Sequence, residues 1–234
     1  MAAPAIGSSP EVEFKLSLFL DQSSSEYDNT SKVEGKDGRI PHWIVQRDAH
    51  IAAINHPAIK QDLIKHRVFV ELVRWSDTTV VDFTGSITDE GAVNELTAAI
   101  QNFPDSMLGK GGTQHKLCQE HMLRNIHVGS FRQVADVSTD DGICCGQKVP
   151  IKKLREKLAK ETFVEVNVIS LNHENLTSDL RKYLQSPGGF TIGIDEYGQS
   201  SNNTQTITYD GYKKALQRKF MIELAWLTGQ RRRM

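Results

Sequence analysis

The stretch from Arg67 to Pro104 constrains the fold more than any other. Val68, Val70 and Leu72 alternate with Phe69, Glu71 and Val73, Ser76-Asp77 makes a turn, and Thr78 to Phe83 returns as a second strand. A period of two is the mark of strands, and two strands joined by so short a turn pair antiparallel. The period then changes. Val93, Leu96, Ile100 and Phe103 recur at helical spacing, with Ser86 or Thr88 as the cap and Pro104 as the stop. A hairpin at 67–84 excludes a purely parallel sheet, and a helix at 88–103 directly behind it excludes an all-β fold.

The same alternation of elements runs along the rest of the chain. Strands are expected near 12–20, 163–171, 190–194 and 205–209, and helices near 150–160 and 210–228. Two short helical stretches over 43–65 break at His56-Pro57, because a residue before proline avoids the helical region. Pro150 suits the opening of a helix whose Ile151, Leu154 and Leu158 face inward. The last helix carries Tyr212, Leu216, Phe220, Leu224 and Leu227 on one face. Interleaved strands and helices with one hairpin give an α+β class, with mixed α/β as the variant. Residues 21–39, rich in Ser23, Ser24, Ser25, Gly35 and Gly38, read as a long polar loop, a kind that is often functional. Residues 1–10 read as a disordered tail, 11–228 as one globular domain and 229–234 as a basic tail.

No apolar run approaches the ~20 residues that a membrane helix needs. Three cysteines do not build a disulfide framework, and the first residues show neither a basic nor an apolar signal region. An intracellular setting, cytoplasmic or nuclear, follows as the expectation. The net charge of −1 hides a division. Residues 1–147 carry 13 Lys and Arg against 20 Asp and Glu; residues 148–234 carry 15 against 9. Lys148, Lys152, Lys153, Arg155, Lys157 and Lys160 stand against one acid, Glu156; Lys214 and Arg218 lie opposite the apolar face of the last helix; Arg231, Arg232 and Arg233 end the chain. Clustered cations of this kind hold phosphates by counterion release. With aromatic residues at only 7%, base stacking is not indicated and contact would go to the backbone. The leading expectation is therefore a non-enzymatic binding or assembly protein. Its basic C-terminal surface would hold RNA or an acidic protein partner, and a homo-oligomer is compatible with that role.

Two alternatives rest on His and Cys. Cys118 and His121 share one side of a helix, and with Cys144 and either His127 or His115 they make four N and S donors for a structural zinc. The spacing matches no established zinc pattern. Cys144-Cys145 between Gly142 and Gly146 also suits an exposed thiol nucleophile, with a histidine as base and Asp82 or Asp136 to orient it, as in a cysteine-dependent hydrolase. Leu108 to Thr113 joins glycines, a lysine and a hydroxyl, but its spacing is not that of a phosphate loop and it reads as a surface turn.

Overall fold

The computed structural model describes residues 14–28, 30–32, 39–125, 132–143, 145–161, 164–171, 174–193, 208–227 and 229. Strand β1 (Phe14–Asp21) leads through a short helix α1 (Ser24–Asp28) into a small ribbon of β2 (Thr30–Lys32) and β3 (Arg39–Pro41). Helices α2 (His42–Ile54) and α3 (Pro57–Lys65) follow, then the hairpin β4 (Phe69–Trp75) and β5 (Thr79–Ser86), and helices α4 (Glu90–Gln101) and α5 (His115–Arg124). The remainder is β6 (Arg132–Thr139), α6 (Lys148–Glu161), β7 (Val164–Ser170), α7 (Glu174–Tyr183), β8 (Thr191–Ile192) and α8 (Tyr209–Leu227). One six-stranded sheet runs β5-β4-β1-β6-β7-β8, with only β4 and β5 antiparallel. The fold is mixed α/β, the variant that the sequence allowed beside α+β.

Helices cover both faces of the sheet. Val45 of α2, Ile59 of α3, Val93 and Leu96 of α4 and Leu216 and Phe220 of α8 close over Leu16, Leu18 and Val70. Cys118 of α5, Ile151 and Leu158 of α6 and Leu180 of α7 close over Phe19, Ala135 and Val137. A parallel strand between two helical layers is buried on both sides. Lys15 and Ser17, the polar positions of this strand, accordingly lie inside with Phe19. They are satisfied there by Glu71 of β4, whose Oε2 is 2.9 Å from both Lys15 Nζ and Ser17 Oγ.

Local signals were mostly obeyed. Pro57 opens α3 after an extended His56, and Pro150 lies in the first turn of α6, where its missing N–H has no intrahelical partner to lose. The cap of α4 is Asp89, not Ser86 or Thr88: its Oδ1 accepts from Ala92 N at 2.9 Å. Of the strand expected at 205–209, residues 205–207 lie outside the described residues, and Tyr209 already begins α8. The expected tail at 1–10 lies outside them as well.

Candidate metal centre

The chain leaves β1 toward β4 on one side, and later enters β6 on the other side of β1. Connections that depart in opposite directions open a crevice at the carboxyl ends of the strands, the usual location of a site in this class of sheet. Asp21 is the last residue of β1, and Thr139 the last of β6, followed at once by Asp140 and Asp141. The turn into α1 brings Ser23, Ser25 and Glu26 over the same point. Leu108–Thr113 closes the crevice: Ser24 N donates to Gly111 O at 2.9 Å and Leu108 N to Gln22 O at 3.0 Å.

Hydroxyls and carboxylates converge there. Ser25 Oγ lies 2.7 Å from Asp140 Oδ1, 2.9 Å from Asp141 Oδ2 and 2.9 Å from Ser23 Oγ. Thr113 Oγ1 donates to Asp141 Oδ2. Asp21 accepts from Ser23 N at 2.8 Å and from Thr139 Oγ1 at 2.6 Å. His42, the first residue of α2, sets Nδ1 3.0 Å from Asp140 Oδ2, and Gln46 one turn on donates to Glu26 Oε1 at 2.9 Å.

The electrostatics are those of crowded negative charge. Burial and the Asp140 carboxylate push the Asp21 carboxyl up to about 8. Burial, then Asp140, Asp21 and Asp141, raise Glu26 well above its ordinary range. The charges that act most on them are other carboxylates, Asp140 on Asp21, and Asp140, Asp21 and Asp141 on Glu26. Three buried carboxylates at such close quarters resist joint ionisation unless a cation lies among them. The donors Asp21, Ser23, Ser25, Thr113, Asp140 and Asp141 are all oxygen, the set that suits a hard dication such as magnesium, calcium or manganese. The residues present therefore fit a metal.

The residues singled out from sequence lie elsewhere. Cys118 is in the core of the α5 layer, where burial raises its thiol well above the ordinary value. His121, on the same helix, turns Nε2 to Glu71 Oε1 at 3.2 Å. His127 and Cys144 lie outside the described residues. Asp82 is held by Arg74 at 2.7 Å and Asp136 by Lys219 at 2.5 Å, so neither orients a histidine as a hydrolase would need. Of the site's own residues, sequence reading had Ser23 and Ser25 only as members of a loop. The signal it passed over was an aspartate at a strand end with hydroxyls two and four residues on.

The model of the family described as protein of unknown function (DUF1194) matches residues 11–228. The chain belongs to that family. No curated protein matches this DUF1194 chain. Solved structures share its fold at low identity. A von Willebrand factor type A protein from Catenulispora acidiphila superposes with a TM-score of 0.61 at 14% identity, over 92% of this chain and 43% of that one. The conserved hypothetical protein BatB from Bacteroides thetaiotaomicron gives 0.57 at 13%, over 91% and 99%. Proximal thread matrix protein 1 from the mussel byssus, with a zinc-occupied MIDAS motif, gives 0.57 at 13%, over 92% and 46%. The fold of this DUF1194 chain is thus von Willebrand A-like.

That likeness overturns the expectation of an RNA- or nucleic-acid-binding protein, and the packing supplies the reason. Helices α6 and α8 lie on opposite faces of the sheet, so Lys148, Lys152, Lys153, Arg155, Lys157 and Lys160 cannot join Lys214 and Arg218 in one surface. Several are also engaged: Lys148 Nζ is 2.7 Å from Asp179 Oδ2, Lys152 is 3.9 Å from Glu156, and Arg155 donates to Lys182 O at 2.5 Å. Arg231, Arg232 and Arg233 lie outside the described residues. Among the described residues, no helix is long and apolar enough to cross a membrane.

Proposed function

We propose that this chain is a protein-interaction domain that grips its partner through a dication held by Asp21, Ser23, Ser25, Thr113, Asp140 and Asp141. The observation that carries the reading is the convergence of Ser25 Oγ with two carboxylates, Asp140 and Asp141, at the carboxyl ends of two adjacent parallel strands. The zinc-occupied MIDAS motif of the mussel protein, which shares the fold, supports it. A bound dication would supply positive charge and exchangeable positions for a carboxylate or carbonyl oxygen of the partner. The chain's own part is to hold the donors in place. Asp21 and Thr139 fix one another across two strands, and the Leu108–Thr113 loop brings the third hydroxyl.

The test is thermal denaturation with and without magnesium, manganese or calcium. A cation at 100 times its Kd adds about 2.7 kcal/mol, which for a chain of this size raises Tm by roughly 5–10 °C. Ser25→Ala and Thr113→Ala should abolish that gain, as should EDTA. Proteins retained by the immobilised chain in magnesium should be released by EDTA and missed by Thr113→Ala. Retention indifferent to both EDTA and Thr113→Ala refutes the proposal.

A further inference from the structure

The dication just proposed uses the hydroxyl side of the crevice and leaves its other side unexplained. Glu26, His42 and Asp140 each bring one ligand atom to a common place, all within 4.8 Å of one another, and all three residues are buried. Glu26 has no exposed surface, and its Oε2 makes no hydrogen bond, although Oε1 is taken by Gln46. An unpartnered carboxylate oxygen at such depth is costly unless something binds it.

The side chains come from three elements held in fixed relation. Tyr27, next to Glu26, stacks on Trp43, next to His42, with ring centroids 5.4 Å apart and planes 26° from parallel. This clamp sets the distance between α1 and α2. Gln46 lies one turn after His42 on the same helix face, and its bond to Glu26 orients that carboxylate as outer-shell partners orient metal ligands. The ligand chemistry also differs from that of the first site, because an imidazole replaces the hydroxyls. One nitrogen with two carboxylates favours zinc and its neighbours over magnesium or calcium.

We infer that Glu26, His42 and Asp140 form a second cation site, selective for a transition-metal ion of the zinc class, beside the hydroxyl-lined one. It shares Asp140 with that site and so rests in part on the reading above.

Zinc titration of the full chain by calorimetry, in saturating magnesium, tests it. The wild-type chain should take one equivalent of zinc. His42→Ala should weaken that binding by more than the roughly 100-fold seen for outer-shell substitutions, while the magnesium-induced rise in Tm persists. Glu26→Gln, which keeps an acceptor for Gln46, should do the same without disturbing the fold. Cobalt(II) in place of zinc should give a visible absorption that His42→Ala removes. Zinc uptake equal in wild type and His42→Ala places the ion on other histidines and overturns the inference. Zinc that displaces magnesium one for one also overturns it, since there is then a single site. Zinc held through His42 by a chain that takes no magnesium, manganese or calcium sustains the second site and defeats the first.

Discussion

Lys219→Met should be among the most damaging single changes outside the metal centre. Lys219 has no exposed surface, although α8 is otherwise half solvated. Its Nζ lies 2.5 Å from Asp136 Oδ1 and 2.6 Å from Glu223 Oε1, and Asn167 Nδ2 donates to Glu223 at 3.1 Å. Burial, then Asp136, push the Glu223 carboxyl up to about 8, so at neutral pH it keeps its proton and the cluster balances as one ammonium and one carboxylate. Methionine fills the volume but leaves Asp136 charged and alone. Stranding a buried charge costs about 3–5 kcal/mol, a large part of the roughly 5–15 kcal/mol that holds a domain together. With a urea slope of about 2–3 kcal/mol per molar, the midpoint should fall by roughly 1–2 M. Adding Asp136→Asn should recover most of the loss, because no uncompensated charge remains. A single variant within about 1 kcal/mol of wild type, or a double variant no better than the single, would refute the argument. The cluster also sets a pH dependence. The folded state holds the Glu223 proton more tightly than the unfolded chain, so stability is full below about pH 4.5 and falls as pH rises through about 8. The slope is at most about 1.4 kcal/mol per pH unit, and Glu223→Gln should remove it. Asp21, raised in the same direction, contributes equally to both proteins and cancels in the comparison.

Glu71 should act in the opposite sense. Burial opposes its ionisation, yet the hydrogen bond from His121 and the charge of Lys15 bring the carboxyl down to about 2. Its stabilisation is then present above about pH 4.5 and lost as pH falls toward 2, on the order of 3 kcal/mol. Acid unfolding followed by circular dichroism should show a shallower limb in Glu71→Gln. Cys118, buried and with a raised thiol, should be alkylated on the order of a thousandfold more slowly than in denaturant, since it reacts only from the open chain; fast native labelling at Cys118 by mass spectrometry contradicts its placement. Gly111→Ala should weaken magnesium binding about tenfold and cost about 1–2 kcal/mol. Gly111 has φ +77°, and a Cβ there meets Ser24 at 3.2 Å and the Met107 sulfur at 2.6 Å. Titration calorimetry and Tm measure both effects.

What the sequence displayed was whatever repeats locally. Val93, Leu96, Ile100 and Phe103 of the α4 stripe are all buried, as are Tyr212, Leu216, Phe220, Leu224 and Leu227 of α8. The hairpin at 67–84 stands within two residues of its expected ends. Strand order is not a local property, and with it went the assignment of layers. Periodicity placed Lys152 and Arg218 on outer helix faces without revealing that a sheet lies between the two helices. It also missed Lys219 and Glu223, which fall one turn apart on the buried side of α8 and satisfy one another there. The candidate metal centre was hidden for the same reason. Its donors come from residues 21–25, 113 and 140–141, segments that meet only once β6 is set beside β1. Within each segment the residues are ordinary loop formers, so a search for dense His and Cys went to Cys118 and His121 instead.

The two buried charge clusters share a strand, and that bears on how the site works. Asp136 and Ser138 of β6 are both anchored on α8, the first through Lys219 and the second through the Tyr212 hydroxyl at 2.5 Å. Thr139 then ties β6 to β1 through Asp21, and Asp140 enters the crevice one residue later. The proposed donors therefore follow a stretch whose every second residue is fixed by a buried polar contact. Donors held in this way lose little freedom when a cation arrives, which favours tight binding. The same rigidity keeps four carboxylates together when no cation is present, a conflict that a loosely held loop would relieve by swinging its acids into water. If the proposed dication is bound, a scaffold that prevents this escape ties the folded state to the ion, so removing metal should lower the stability of this end of the sheet before that of α4 or α7.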